Sequence, residues 1–172
     1  MWNKKRDWLA CVADLLGNRD VVSMDLLPQH RAGFSCLRHS MMVSYFSFRV
    51  CQALGWKSRE AARGGLLHDL YLYDWTDRTE HSGWELLQNH PKQALANANK
   101  RFLLTPREQD AIATHMFPLT PTPYHYKESF IVSTMDKVSA VLELAGVGFH
   151  GFFAPVPAPM PVRYAEVLQK AS

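Results

Sequence analysis

Six residues carry side chains that could act together on a cation: His39, the adjacent pair His68–Asp69, His90, His115 and Asp136. Four imidazoles and two carboxylates offer nitrogen and oxygen donors without a thiolate. That set suits Fe, Mn, Zn, Ni or Mg and not an iron–sulfur cluster. His39 shares a helical stripe with Val43, Phe46 and Val50, and Asp136 sits among Ile131, Val132, Met135 and Val138, so both are expected to point inward. An ionised carboxylate in such a place is costly unless a charge partner or a metal compensates it. Singly, each residue has an ordinary explanation: a satisfied core histidine, a neighbour of a helix start at His90, a cation favoured by a helix C-terminus at His115. Together, on five successive helical segments, they can converge in a bundle, where facing helices commonly build metal sites.

The elements that must position them are helical nearly throughout. Trp8, Cys11, Val12, Leu15 and Leu16 recur at helical spacing and stop at Gly17-Asn18. A second helix runs from His39 through Val43, Phe46, Val50 and Leu54 to Gly55. Ser58 is the expected N-cap of a third, whose Ala61, Ala62, Gly65 and Leu66 form a close-packing face. The stretch "TDRTEHSGWELLQNHP" reads as a polar loop with one short turn, and Pro91 as the first residue of a helix through Ala94, Leu95 and Ala98. Thr105, Pro106 and Glu108 spell a capping box opening a helix that reaches about His115. The last long helix spans Ser129 to Ala145, with Ile131, Met135, Val138 and Leu142 on one face and Gly146 beyond. The fold class is therefore all-α: a helical domain over residues 1–150 with its core at 30–145. A proline-rich extension follows over 151–172, extended at "APVPAPMP" and with a short helix from Arg163 to Lys170.

Composition narrows the setting. A hydrophobic fraction of 47% and a charged fraction of 20% are ordinary globular values and exclude wholesale disorder. The formal charge of +3 suits a small phosphorylated partner and falls short of the basic stripe of a nucleic-acid binder. Cys11, Cys36 and Cys51 lack a CxxC spacing and leave one unpaired in any disulfide scheme, so they read as reduced thiols. Asp14 interrupts the first apolar stretch, and no run approaches a membrane span. The expectation is a cytoplasmic protein with no membrane partner and no polymeric nucleic acid, and with homo-oligomerisation left open.

His39, the doublet "HD" at 68–69 and Asp136 in "STMDK" resemble the ligand signature of the HD-domain superfamily of metal-dependent phosphohydrolases. The likeness covers roughly residues 30 to 145. His90 in "NHPK" and His115 in "THMFPL" match, in order, the two further histidines of binuclear members. The resemblance implies a compact helical bundle with a central metal site. One divalent ion would be held by His39, His68, Asp69 and Asp136, and Asp69 would bridge to a second held by His90 and His115. It implies hydrolysis of a phosphomonoester or phosphodiester, on a nucleotide or another small phosphorylated metabolite. Two cations about 3.5–4 Å apart polarise a phosphoryl oxygen and activate water near neutral pH. Asp69 would then be catalytic, with Lys137 as first and Lys92 as second phosphate contact. Where such signatures commonly continue "HDIGK", this chain has "HDLYLYDW", so Tyr71, Tyr73 and Trp75 follow the pair. Helix-end packing is the expected role of these aromatics.

Two alternatives stand beside this reading. Some members of the superfamily use the same donor set to hold two irons that activate dioxygen. A regulatory or binding module is the other, favoured by the short chain and the proline-rich residues 155–161.

Overall fold

The computed structural model describes residues 2–29, 34–72 and 83–146. Seven α-helices lie among them: α1 (Trp2–Leu16), α2 (Arg19–Ser23), α3 (Cys36–Ala53), α4 (Ser58–Leu67), α5 (Gly83–Asn99), α6 (Pro106–Thr114) and α7 (Lys127–Leu144). A 3-10 turn, Met24–Leu26, follows α2. No strand occurs among the described residues beyond an isolated bridge between Pro28 and Ser35. None of their helices is long and apolar enough to cross a membrane.

The helix ends follow local chemistry. Ser35 caps α3 by accepting from the Arg38 N–H, and Asn18 caps α2 through the N–H groups of Asp20 and Val21. Thr105 and Glu108 form the expected reciprocal capping box, with Pro106 at the start of α6. Gly55 and Gly146 take positive φ beyond α3 and α7. Three expectations fail. Ser58 is not the cap of α4: Lys57 occupies that position without a side-chain cap. Pro91 does not open a helix but lies inside α5, which extends back to Gly83. Val138 does not face the core; it is exposed, and the buried face of α7 carries Val132, Asp136, Ser139 and Glu143. The expected helix at 163–170 and the extended tail at 151–162 lie outside the described residues, as do Tyr73 and Trp75.

The main core joins Trp8, Val12 and Leu15 of α1 to Leu37, Met41 and Phe48 of α3, Leu66 and Leu67 of α4, and Ile112 of α6. Cys36 and Cys51 are buried free thiols and Cys11 is a partly buried one. At the centre, "GG" at 64–65 lets α4 approach two neighbours closely, α6 at Gly64 and α3 at Gly65. A methyl group on Gly64 would stand 2.7 Å from Ala111 Cβ, and one on Gly65 only 3.0 Å from Ser44 Cα. The seam is closed by Ser44, which accepts from Trp8 Nε1 at 2.8 Å and donates to the Ala62 carbonyl at 2.6 Å. Alanine at 65 would gain about 1 kcal/mol in helix propensity. Its collision is with backbone, which cannot rotate away. Gly65→Ala is therefore expected to lower stability by a net ~1–3 kcal/mol, read by urea unfolding.

Candidate metal centre

The six residues come from five helices or their ends. His39 stands in the first turn of α3, and His68 is the C-cap of α4 with Asp69 one residue beyond. His90 lies mid-helix in α5, His115 is the C-cap of α6, and Asp136 is on the inward face of α7. The structure brings all six together. His39 Nε2 is 3.0 Å from Asp136 Oδ1, and His68 Nε2 is 3.5 Å from the same oxygen. His68 Nε2 is 3.4 Å from Asp69 Oδ2. The other oxygen of Asp69, Oδ1, is 3.5 Å from His115 Nε2 and 3.6 Å from His90 Nε2. His90 and His115 bring their Nε2 atoms to 2.9 Å. Donors held about 2.1 Å from one ion in a tetrahedron lie about 3.4 Å from each other; the contacts of 3.4, 3.5 and 3.6 Å match that spacing, while those of 2.9 and 3.0 Å are hydrogen bonds.

The remote nitrogens fix the tautomers. His68 Nδ1 faces the Gly65 carbonyl at 2.8 Å and His115 Nδ1 the Ile112 carbonyl at 2.7 Å. A carbonyl only accepts, so both Nδ1 atoms carry protons and Nε2 is the nitrogen each ring turns toward the cluster. His68 Nε2 is fully buried and has no hydrogen-bond partner, the state of a donor that lacks its acceptor. Two groups of donors, His39–His68–Asp136 and His68–Asp69–His115, have ligand atoms within 4.8 Å of one another and could each hold an ion. The residues fit divalent metal.

Electrostatics agree with the geometry. Burial would lower the His39 pKa, but hydrogen bonds to Asp136 and Glu143 outweigh it and carry it up to about 10. Burial disfavours the charged carboxylates of Asp69 and Asp136, yet the surrounding histidines hold both well below the usual range. Burial, then the charge of His115, pushes His90 down to about 4.

A supporting layer surrounds the six. Glu143, two helical turns beyond Asp136, holds His39 Nδ1 at 2.9 Å. Gln29 donates to Asp69 Oδ2 at 2.9 Å and accepts from the Tyr71 hydroxyl at 3.1 Å. Tyr71 is thus packed in the core as expected of a helix-end aromatic, with its hydroxyl tied into this layer. Asn97 pins the turn after the pair by donating to the Leu70 carbonyl, and Leu72 leaves it with φ 61. Neither Glu143 nor Gln29 stands out in the sequence. For Glu143 the available signal is its heptad step from Asp136, which returns to the same helix face; Gln29 offers none.

The two lysines behave differently. Lys137 Nζ donates to the His115 carbonyl at 2.9 Å and to the Ser133 carbonyl and hydroxyl at 3.1 and 3.0 Å. Three ammonium protons meet three acceptors, and Ser133 also donates to the His115 carbonyl at 2.7 Å. Lys137 therefore braces the segment that carries His115. Lys92 is exposed, and no hydrogen bond or ion pair among the described residues joins it to the cluster.

No family model matches the chain, and no match is found among curated proteins or solved structures, so the functional reading rests on this cluster and its chemistry.

Proposed function

We propose that the chain is a metal-dependent hydrolase of phosphate esters, acting on a nucleotide or another small phosphorylated metabolite. The observation that carries the reading is the placement of Asp69, whose two oxygens face different histidines: Oδ2 faces His68, and Oδ1 faces His90 and His115. A carboxylate so placed can bridge two cations. His39, His68, Asp69 and Asp136 would hold one, and Asp69, His90 and His115 the other. Two bound divalent ions supply Lewis-acid polarisation of a phosphoryl oxygen and a water of lowered pKa.

The chain's own residues do the rest. The carbonyls of Gly65 and Ile112 keep the Nε2 atoms of His68 and His115 available as donors. Gln29 donates to Asp69 Oδ2 and so fixes the carboxylate with its two oxygens toward different histidines. Leu66, Leu67 and Leu70, which flank the pair in sequence, are fully buried in the main core. Substrate would enter beside His90 and Asp136, the two most exposed of the six side chains at 14% and 11%. Lys137 supports His115 from the backbone side and is a positioning residue in this scheme.

The reading is tested by metal analysis of the purified protein, followed by a phosphatase and phosphodiesterase panel with Mn, Mg, Ni, Zn or ferrous iron restored in turn. Turnover of a phosphate ester that depends on the added ion is the expected result. A metal-loaded chain that hydrolyses no compound overturns the hydrolase reading. Iron retention with an optical change on exposure to oxygen would replace it by the di-iron oxygenase.

A further inference from the structure

The two sites proposed above, one with His39, His68 and Asp136 and the other with Asp69, His90 and His115, are not built alike. In the first, both histidines have their remote nitrogen fixed from within the core, His39 by Glu143 and His68 by the Gly65 carbonyl. In the second, His115 is held by the Ile112 carbonyl, but the Nδ1 of His90 has no hydrogen bond among the described residues. His90 is also the most exposed member. It immediately precedes Pro91, whose ring removes the N–H that would bond the carbonyl one turn back and loosens the helix there.

Glu143 is the decisive difference. Among the described residues it is the one carboxylate outside the six that contacts the cluster, and it is 1% exposed. Its Oε1 takes His39 Nδ1, while Oε2 is buried without any partner. A half-satisfied buried carboxylate is costly unless positive charge stands close. In the metal-free protein the His39 ring itself carries that charge between Asp136 and Glu143, and a cation on its far nitrogen would take the place of that proton. A carboxylate behind a ligating imidazole in turn fixes the ring and strengthens it as a donor.

We propose that Glu143 is a positioning residue that makes His39–His68–Asp136 the tighter site, loaded first, and leaves Asp69–His90–His115 weaker and exchangeable. This rests on the metal-dependent reading above and adds its regulation: the free concentration of the divalent ion sets occupancy of the His90 site, and with it activity.

The experiment is titration of full-length, metal-free protein with cobalt(II), followed by calorimetry and by the visible spectrum. The wild type is expected to bind in two steps separated by at least about tenfold in affinity. Glu143→Gln keeps the shape and the acceptor but removes the charge. It should weaken the first step by about 10–100-fold and leave the second unchanged, because outer-shell partners contribute about that much to affinity. His90→Ala should abolish the second step alone. A merely structural Glu143 would move both steps together, and the melting temperature of each metal-free variant checks this separately. Equal affinities in the wild type, an unmoved first step in Glu143→Gln, or loss of the first step in His90→Ala overturns the assignment. Absence of any cobalt binding by the wild type instead removes the metal-dependent reading itself.

Discussion

Replacing Arg63 by alanine is expected to lower the unfolding free energy by about 3–5 kcal/mol, the usual consequence of stranding one member of a buried ion pair. Arg63 sits on α4 with a nearly buried side chain, and its Nε donates to Glu108 Oε1 at 2.8 Å. Its Nη1 donates to Asp14 Oδ1 at 2.6 Å and to the Cys11 carbonyl at 3.2 Å, tying α1 to α4 and α6. Glu108 is 1% exposed, and its next cation, Arg59, is 3.8 Å away and largely solvated. Without Arg63 the carboxylate keeps its capping role, since Oε2 accepts from the Thr105 N–H at 2.7 Å, but it loses its counter-charge. The double variant Arg63→Met, Glu108→Gln separates the causes. Glutamine keeps an acceptor for the cap and carries no charge, so part of the loss should return, as a coupling of about 0.5–3 kcal/mol in a double-mutant cycle. Urea unfolding of the four proteins measures it. A double variant as unstable as the sum of its singles would show that the stranded charge is not the cause.

The second large effect is on metal. Asp69→Ala removes the one carboxylate that faces both groups of histidines and should weaken binding of both ions by at least about 100-fold, since even outer-shell partners contribute 10–100-fold. Far-ultraviolet circular dichroism should remain helical, because Asp69 lies just beyond α4 and its backbone is pinned independently. The Tyr71 N–H donates to the Asp69 carbonyl at 2.8 Å, and Asn97 holds the two carbonyls that follow. Undiminished metal content in a folded Asp69→Ala protein, measured by elemental analysis, would sink both the hydrolase and the oxygenase readings.

Much of this was legible in residue types and spacing, and the exceptions share a physical cause. Capping chemistry is local, so Thr105, Pro106 and Glu108 announced α6 correctly. Small residues at 64–65 announced close approach because only a missing side chain allows it. The start of α5 was misread because a proline costs least at a helix start. Here contacts distant in sequence carry the helix past Pro91: His90 meets His115, and Gln88 donates to the Leu119 carbonyl. The expected face of α7 is met in part, with Ile131 buried and Met135 packed against it, and fails at Val138 for a different reason. Hydrophobic periodicity locates a buried face only where that face is apolar, and α7 buries Asp136, Ser139 and Glu143 while exposing Val138 and Val141. The six residues of the cluster were legible as types, whereas Glu143 was not: a lone helical glutamate is ordinarily solvated. The role of Arg63 was not legible, because its partners Asp14 and Glu108 lie 49 and 45 residues away.

The separation of the cluster along the chain has its own consequence. His39 meets Asp136 across 97 residues and Glu143 across 104, while His90 meets His115 across 25. Closing a loop that long costs entropy before any contact within it can compensate. The centre therefore cannot form in a fragment or in an early, locally structured chain; it exists once α3 and α7 have docked. An ion bound there recognises the completed topology and stabilises it by mass action, in proportion to the logarithm of its free concentration over its dissociation constant. If the proposed ion is bound, chelating it should act on the whole domain at once, lowering the free energy of global unfolding instead of loosening a loop.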